Sequence, residues 1–155
     1  MAHYSYKAKD RKGMPVEGVV SFVGSLAAGD FQSPDDSPLL ADLTADMLDK
    51  GTLNKSRFEI SELLDESGMK LNFSSNSHAL EFKGKFLKKN TQDFISILAE
   101  QLKTPLFDPE VLNNLKEQYR SYLLQYENDT EYMSESLLSE ALYPKDHPNH
   151  EVSLA

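Results

Sequence analysis

The stretch from Leu39 to Thr52 constrains the fold more than any other part of the chain. Its apolar residues recur every three to four positions, the period of one helix face, and they are Leu40, Leu43, Met47 and Leu48. Gly51 follows, and glycine often supplies the positive φ found where a helix ends. Asp42 and Asp46 lie four residues apart, so a helix places both carboxylates on one face. They are the first candidates for a shared metal site.

Two other segments have the patterns of β-strands. Val16–Val23 is rich in β-branched residues on both faces, which predicts a strand covered on both sides or an inner strand of a mixed sheet. Between Met69 and Phe86, two runs of alternating apolar and polar residues are separated by Ser75-Asn76-Ser77. This alternation predicts an antiparallel hairpin with one buried face and one wet face.

The remaining signals are helical. Ser56 and Glu59 form a capping-box pattern that predicts a second helix, and further helices are predicted over residues 91–103, 109–127 and 130–142. The order of strand, two helices, hairpin and three helices predicts an α+β fold. We expect a mixed or antiparallel sheet with helices packed on one face.

Composition excludes several classes of protein and site. The net charge of −9 argues against nucleic acid, since phosphate binding requires clustered lysine and arginine. The absence of cysteine excludes disulfides and thiolate zinc sites. No apolar run approaches the ~18 residues of a membrane span, and the first residues lack the apolar core of a signal peptide. The compartment stays unassigned.

The helix and the Lys50-Gly51-Thr52 that follows it resemble the first motif of the pitrilysin/insulinase-type (inverzincin) zinc peptidases, which include the mitochondrial processing peptidases. Catalytic domains of that family carry H-x-x-E-H just before a similar K-G-T. Aligned on K-G-T, the two histidine ligands fall on Asp42 and Asp46, and the glutamate base falls on Ala45. The third ligand, a glutamate, falls near Tyr122. The resemblance therefore implies the family's fold with a degenerate motif, and no catalytic residue, metal or cofactor in this domain.

Further phrases resemble the family in order and spacing: Thr104-Pro105-Leu106-Phe107 before a long helix, then Leu142-Tyr143-Pro144 and His147-Pro148. We assign residues 1–15 to a leading segment or linker, 16–148 to the peptidase-like domain and 149–155 to a tail. Family domains continue beyond this point, so we expect the chain to be a truncated half-domain from a longer protein.

Other candidate site residues have simpler interpretations. Asp42 and Asp46 can bind a hard cation, but they also suit the solvated face of an amphipathic helix. The histidines are scattered along the chain, at positions 3, 78, 147 and 150, and are expected to be exposed rather than ligands. Tyr119, Tyr122 and Tyr126 recur at helical spacing, which favours a core role over a binding role.

The leading hypothesis is a non-catalytic domain of a zinc peptidase of this family. The resemblance implies that two similar halves enclose a chamber, with zinc only in the catalytic half. The expected partners of this domain are that catalytic half and a peptide substrate. The parent protein is then a peptidase, while this domain is inactive. The alternative is a free-standing interaction module whose exposed hairpin edge adds a strand to a partner. A third hypothesis is a diverged enzyme that holds another cation on Asp42 and Asp46.

Overall fold

The computed structural model describes residues 8–9, 15–16, 18–33, 39–126, 129–144 and 147. The chain divides into two compact units, Met1–Phe107 and Asp108–Ala155. The described elements of the first unit are β1 (Ala8–Lys9), β2 (Pro15–Val16), β3 (Val19–Leu26), α1 (Leu40–Met47), α2 (Arg57–Glu66), β4 (Lys70–Ser75), β5 (Leu80–Leu87) and α3 (Thr91–Lys103). Those of the second are α4 (Pro109–Tyr126) and α5 (Thr130–Leu142).

The main sheet is antiparallel, with the strand order β3-β5-β4, and the predicted hairpin over β4 and β5 is confirmed. The prediction for β3 was partly wrong. The strand begins at Val19, whereas Val16 belongs to β2 and pairs with Ala8. Within the described residues β3 is an edge strand, and its Val19 and Val23 side chains are exposed. A strand can carry apolar residues on both faces even when only one face is covered. Composition alone therefore did not distinguish an edge strand such as β3 from an inner strand.

Helices α1, α2 and α3 pack on one face of this sheet, which confirms the α+β class. The main core cluster contains Ile60, Met69, Phe82, Phe86, Phe94, Ile97 and Leu98. Phe94 of α3 is fully buried and stacks on Phe86 of β5, with ring centroids 4.1 Å apart. Gly84 makes this approach possible, since a Cβ at that position would lie 2.1 Å from the Phe94 ring.

Local signals correctly predicted the start of α2 and both ends of α3. The Ser56 hydroxyl accepts from the Glu59 amide at 3.3 Å and the Glu59 carboxylate accepts from the Ser56 amide at 2.7 Å, so the capping box is confirmed. Helix α3 has the predicted bounds. On this helix Ile97 is buried, whereas Ile95 is 43% exposed.

The second unit contains the two remaining predicted helices. The Asp108 carboxylate accepts from the Glu110 amide at 2.8 Å at the start of α4. Asp129 caps α5 by accepting from the Glu131 amide at 2.9 Å. In the part of the chain that the structure describes, no helix is both long enough and apolar enough to cross a membrane.

Candidate functional site

Helix α1 carries the three positions that the family motif singles out. The buried side of this helix differs from the predicted stripe: Leu40 is 46% exposed, while Ala41 and Ala45 are buried together with Met47 and Leu48. Alanine has the highest helix propensity and lets a helix approach a sheet closely. Periodicity counted on large apolar residues therefore misplaced the buried face by part of a turn.

Ala45, which the resemblance aligns with the family's glutamate base, belongs to the apolar interior. It is 2% exposed and forms a cluster with Leu48 and with Leu80 of the sheet, against which Phe73 and Leu102 also pack. The methyl side chain of alanine can neither donate nor accept a proton as an acid or base. The arrangement offers no group at residue 45 that could activate a water molecule.

Asp42 is partly buried and links α1 to the sheet, because its carboxylate accepts a hydrogen bond from the Ser75 hydroxyl at the end of β4. Asp30 lies near it in a short 3₁₀ turn, and one of its carboxylate oxygens is buried without a hydrogen-bond partner among the described residues. Burial, and then the negative charge of Asp42, raises the pKa of Asp30 above its ordinary value of 3.8. Asp42 is thus held by a hydroxyl donor in an acidic neighbourhood.

Asp46 is partly buried one turn further along α1. Among the residues with described placement, no group of three or more histidine, aspartate or glutamate side chains could hold a metal ion. Two carboxylates suit a hard cation with several waters better than zinc, which prefers imidazole or thiolate ligands. The interpretation of Asp42, Ala45 and Asp46 as degenerate motif positions stays a prediction, as does the expected absence of metal and cofactor.

The described histidines contact aromatic rings. His78, in the hairpin turn, meets Phe31 edge-on with ring centroids 4.5 Å apart. His147 stacks on Tyr143 at 4.6 Å. His3 and His150 lie outside the described residues.

Tyr122, at the predicted third-ligand position, lies on α4 in the second unit and is 59% exposed. It lines an open groove of about 380 Å³ together with Glu117, Gln118, Ser121 and Gln125. The core role predicted for this tyrosine is wrong, because more than half of its surface is exposed. Tyr119 is partly buried, and the Tyr126 side chain lies outside the described residues.

The K-G-T segment is a structural junction, a role that the sequence pattern did not predict. Gly51 has a φ of +128°, a region that favours glycine, and Thr52 is 3% exposed. The Thr52 hydroxyl donates to Oε1 of Glu100 at 2.7 Å and accepts from the Lys55 amide at 3.0 Å. The Leu53 amide donates to the Thr104 carbonyl at 3.0 Å. The loop after α1 is thereby tied to the last turn of α3.

One ion pair and one further hydrogen bond complete this junction. The Lys55 ammonium pairs with the Glu100 carboxylate, and this hydrogen bond, followed by that from Thr52, lowers the pKa of Glu100 from its ordinary value of 4.5. The buried Gln101 amide donates to the Leu48 carbonyl at 3.2 Å and so satisfies an acceptor at the end of α1. The end of α1 that carries the motif positions is held by side chains of α3.

Comparison with known proteins agrees with this architecture. The sequence model of the family described as Insulinase (Peptidase family M16) matches residues 20–153. The non-peptidase homolog YmxG of Helicobacter pylori is 32% identical over 104 residues, which cover 67% of this chain and 24% of that protein. Subunit alpha-1 of the mitochondrial-processing peptidase of Dictyostelium discoideum is 32% identical over 127 residues, covering 81% of this chain and 19% of that protein.

A solved structure has the same fold. The crystal structure of a peptidase M16 inactive domain from Pseudomonas fluorescens superposes with a TM-score of 0.80 at 20% identity, over 96% of this chain and 38% of that one. The chain thus spans about a quarter or less of its two sequence relatives and well under half of the structural one. The chain belongs to the insulinase family of peptidases, peptidase family M16, and has the fold of an inactive half-domain of that family.

Proposed function

We propose that this chain is a non-catalytic domain of an M16 peptidase, with residues 16–148 forming the domain. Its role is to pair with a catalytic half, in the same or a partner chain, and to shape the chamber that holds the peptide. Zinc and the complete H-x-x-E-H motif belong to that catalytic half. The peptide is hydrolysed there, while this domain contributes surface and no chemistry.

The observation that carries this proposal is the burial of Ala45 in an apolar cluster with Leu48 and Leu80. A zinc peptidase needs imidazole ligands and an adjacent carboxylate base beside an open water position. Here the base position holds a methyl group, and the Asp42 carboxylate accepts from Ser75. The similarity to a protein named a non-peptidase homolog supports the same conclusion.

Inactivity has a direct test. The purified chain, incubated with zinc and an unstructured fluorogenic peptide, should release no more fluorophore than buffer with zinc alone. A mitochondrial-type or bacterial M16 enzyme that carries H-x-x-E-H serves as the positive control. Cleavage by this chain that a chelator abolishes would contradict the proposal.

The pairing role needs a second experiment. The chain should be co-expressed with the protein from the same genome that carries H-x-x-E-H, and the mixture separated by size-exclusion chromatography. We expect the two to co-elute, and peptidase activity to exceed that of the catalytic partner alone. If the two proteins elute separately and the activity of the catalytic partner is unchanged, the pairing role is wrong, while the inactivity of this domain still stands.

A second candidate function follows from the position of β4 at an edge of the described sheet, with Lys70, Asn72 and Ser74 exposed. A free strand edge can accept a partner strand through its main chain. N-methylation of a bound peptide's backbone would abolish such binding.

The third hypothesis, a cation site on Asp42 and Asp46, is tested by titration calorimetry. With Mg²⁺, Mn²⁺ and Zn²⁺ we expect no tight binding.

A further inference from the structure

The outward face of the sheet, opposite the helices, has an unusual composition. Side chains alternate across each strand, and the exposed or partly exposed set on this face is Val19, Ser21, Val23, Ser25, Lys70, Asn72, Ser74, Glu81, Lys83, Lys85 and Leu87. It holds three lysines and one glutamate on a chain of net charge −9. We call this set the lysine face.

Two of these lysines face each other. The register places Lys70 of β4 directly opposite Lys85 of β5, and among the described residues neither has an acidic partner. Like charges at such a cross-strand position destabilise a sheet. Lys83 lies 2.7 Å from Glu81, so the one acid of the face already has a partner. The face therefore carries an uncompensated positive charge that a carboxylate from outside would neutralise.

Apolar side chains accompany this charge. Val19 is 58% exposed and Val23 is 68% exposed, and the register sets Val23 of β3 opposite Lys83 of β5. A phosphate polymer would use the lysines and leave the valines in water. A protein segment can contact both, because interface cores combine apolar contacts with a charged rim.

We propose that the lysine face binds a protein segment in which carboxylate side chains stand beside apolar ones. The chain's own residues 1–17 are a poor match, since they contain four lysines and arginines against two acids. The overall charge of −9 does not prevent such binding. Charges more than about 8 Å from the contact are largely screened at physiological salt, so the local lysines dominate there.

The probe is a labelled synthetic peptide in which glutamates alternate with valines and leucines, measured by fluorescence anisotropy against the full chain. We expect binding that weakens as sodium chloride is raised, and no binding of the same peptide with lysines in place of glutamates. The variant Lys70→Glu/Lys85→Glu should weaken binding by about tenfold or more, a change of about 1.4 kcal/mol. The matched control, Lys103→Glu/Lys116→Glu, changes the same charge at exposed positions of α3 and α4 and should bind like the wild type.

The single variant Lys70→Glu separates binding from folding. It converts the like-charged pair into an attractive one, so its melting temperature should rise while peptide affinity falls. Equal affinity of the lysine-face and control variants would overturn the proposal. Two other results would also overturn it. If the wild type binds duplex DNA and Lys70→Glu/Lys85→Glu does not, the face binds nucleic acid. If the wild type self-associates and that variant does not, the face binds a second copy of the chain.

Discussion

The Thr52 hydroxyl donates a 2.7 Å hydrogen bond to the carboxylate of Glu100, a residue 48 positions away in the chain. Thr52 lies in the loop after α1, and Glu100 lies in the last turns of α3. Both side chains are largely shielded from water, and Lys55 neutralises the carboxylate. This contact fixes the end of α1, the helix on which we predict the degenerate motif positions.

Replacing Thr52 by valine should test how much that contact contributes. The change keeps the shape and removes a hydroxyl that donates to Glu100 and accepts from the Lys55 amide, so we expect a loss of about 1–3 kcal/mol in unfolding free energy. Urea denaturation followed by circular dichroism measures it. Thr44→Val, which removes only an intrahelical hydroxyl bond to Leu40, is the control and should change stability by less than about 0.5 kcal/mol. Equal losses would contradict the prediction.

The lowered pKa of Glu100 predicts a pH dependence with a definite sign. The ionised carboxylate is favoured in the folded state, so its contribution is complete above the ordinary pKa of 4.5 and is lost as the pH falls through the lower folded value. Glu100→Gln should therefore lower the melting temperature at pH 7. The difference in melting temperature between variant and wild type should narrow steadily as the pH falls below 4.5. A gap that is constant with pH would mean that the charge is not involved.

Ala45→Glu places a carboxylate at the position that we predict to correspond to the family's glutamate base. Because Ala45 is 2% exposed among apolar side chains, we expect a loss of several kcal/mol, of the order found for an unpaired buried charge. Leu40→Glu, on the same helix at a position that is 46% exposed, is the matched control and should change stability little. Thermal unfolding compares them. An Ala45→Glu protein as stable as the control would show that this side chain can reach solvent.

Gly84 is predicted to be essential for the packing of Phe94 on the sheet. A Cβ there would lie 2.1 Å from the Phe94 ring, so Gly84→Ala should cost about 1–3 kcal/mol through overpacking. Shortening the partner should relieve the clash. In the double variant Gly84→Ala/Phe94→Leu the two losses should therefore be less than additive, as chemical denaturation of all four proteins can establish. Additive losses would count against direct contact.

The sequence predicted local features well and non-local ones poorly. The Ser56–Glu59 capping box, the hairpin and the bounds of α3 depend on residues close together in the chain, and each is confirmed. The junction of Thr52 with Glu100 depends on how α1 and α3 meet, which no periodicity reports. The buried side of α1 was misplaced for a related reason. Alanines have little hydrophobic signal, yet Ala41 and Ala45 are buried, and Ala45 packs with Leu80 of the sheet.

The strand order β3-β5-β4 has a consequence for synthesis on the ribosome. Within the described residues, both outer strands pair only with β5, which is the last of the three along the chain. A nascent chain that ends before Leu80 has no template on which β3 or β4 can form its ladder, whereas α1 and α2 need only local contacts to begin. The β3–β5 and β4–β5 ladders can therefore form only after translation has reached β5, at Leu80–Leu87.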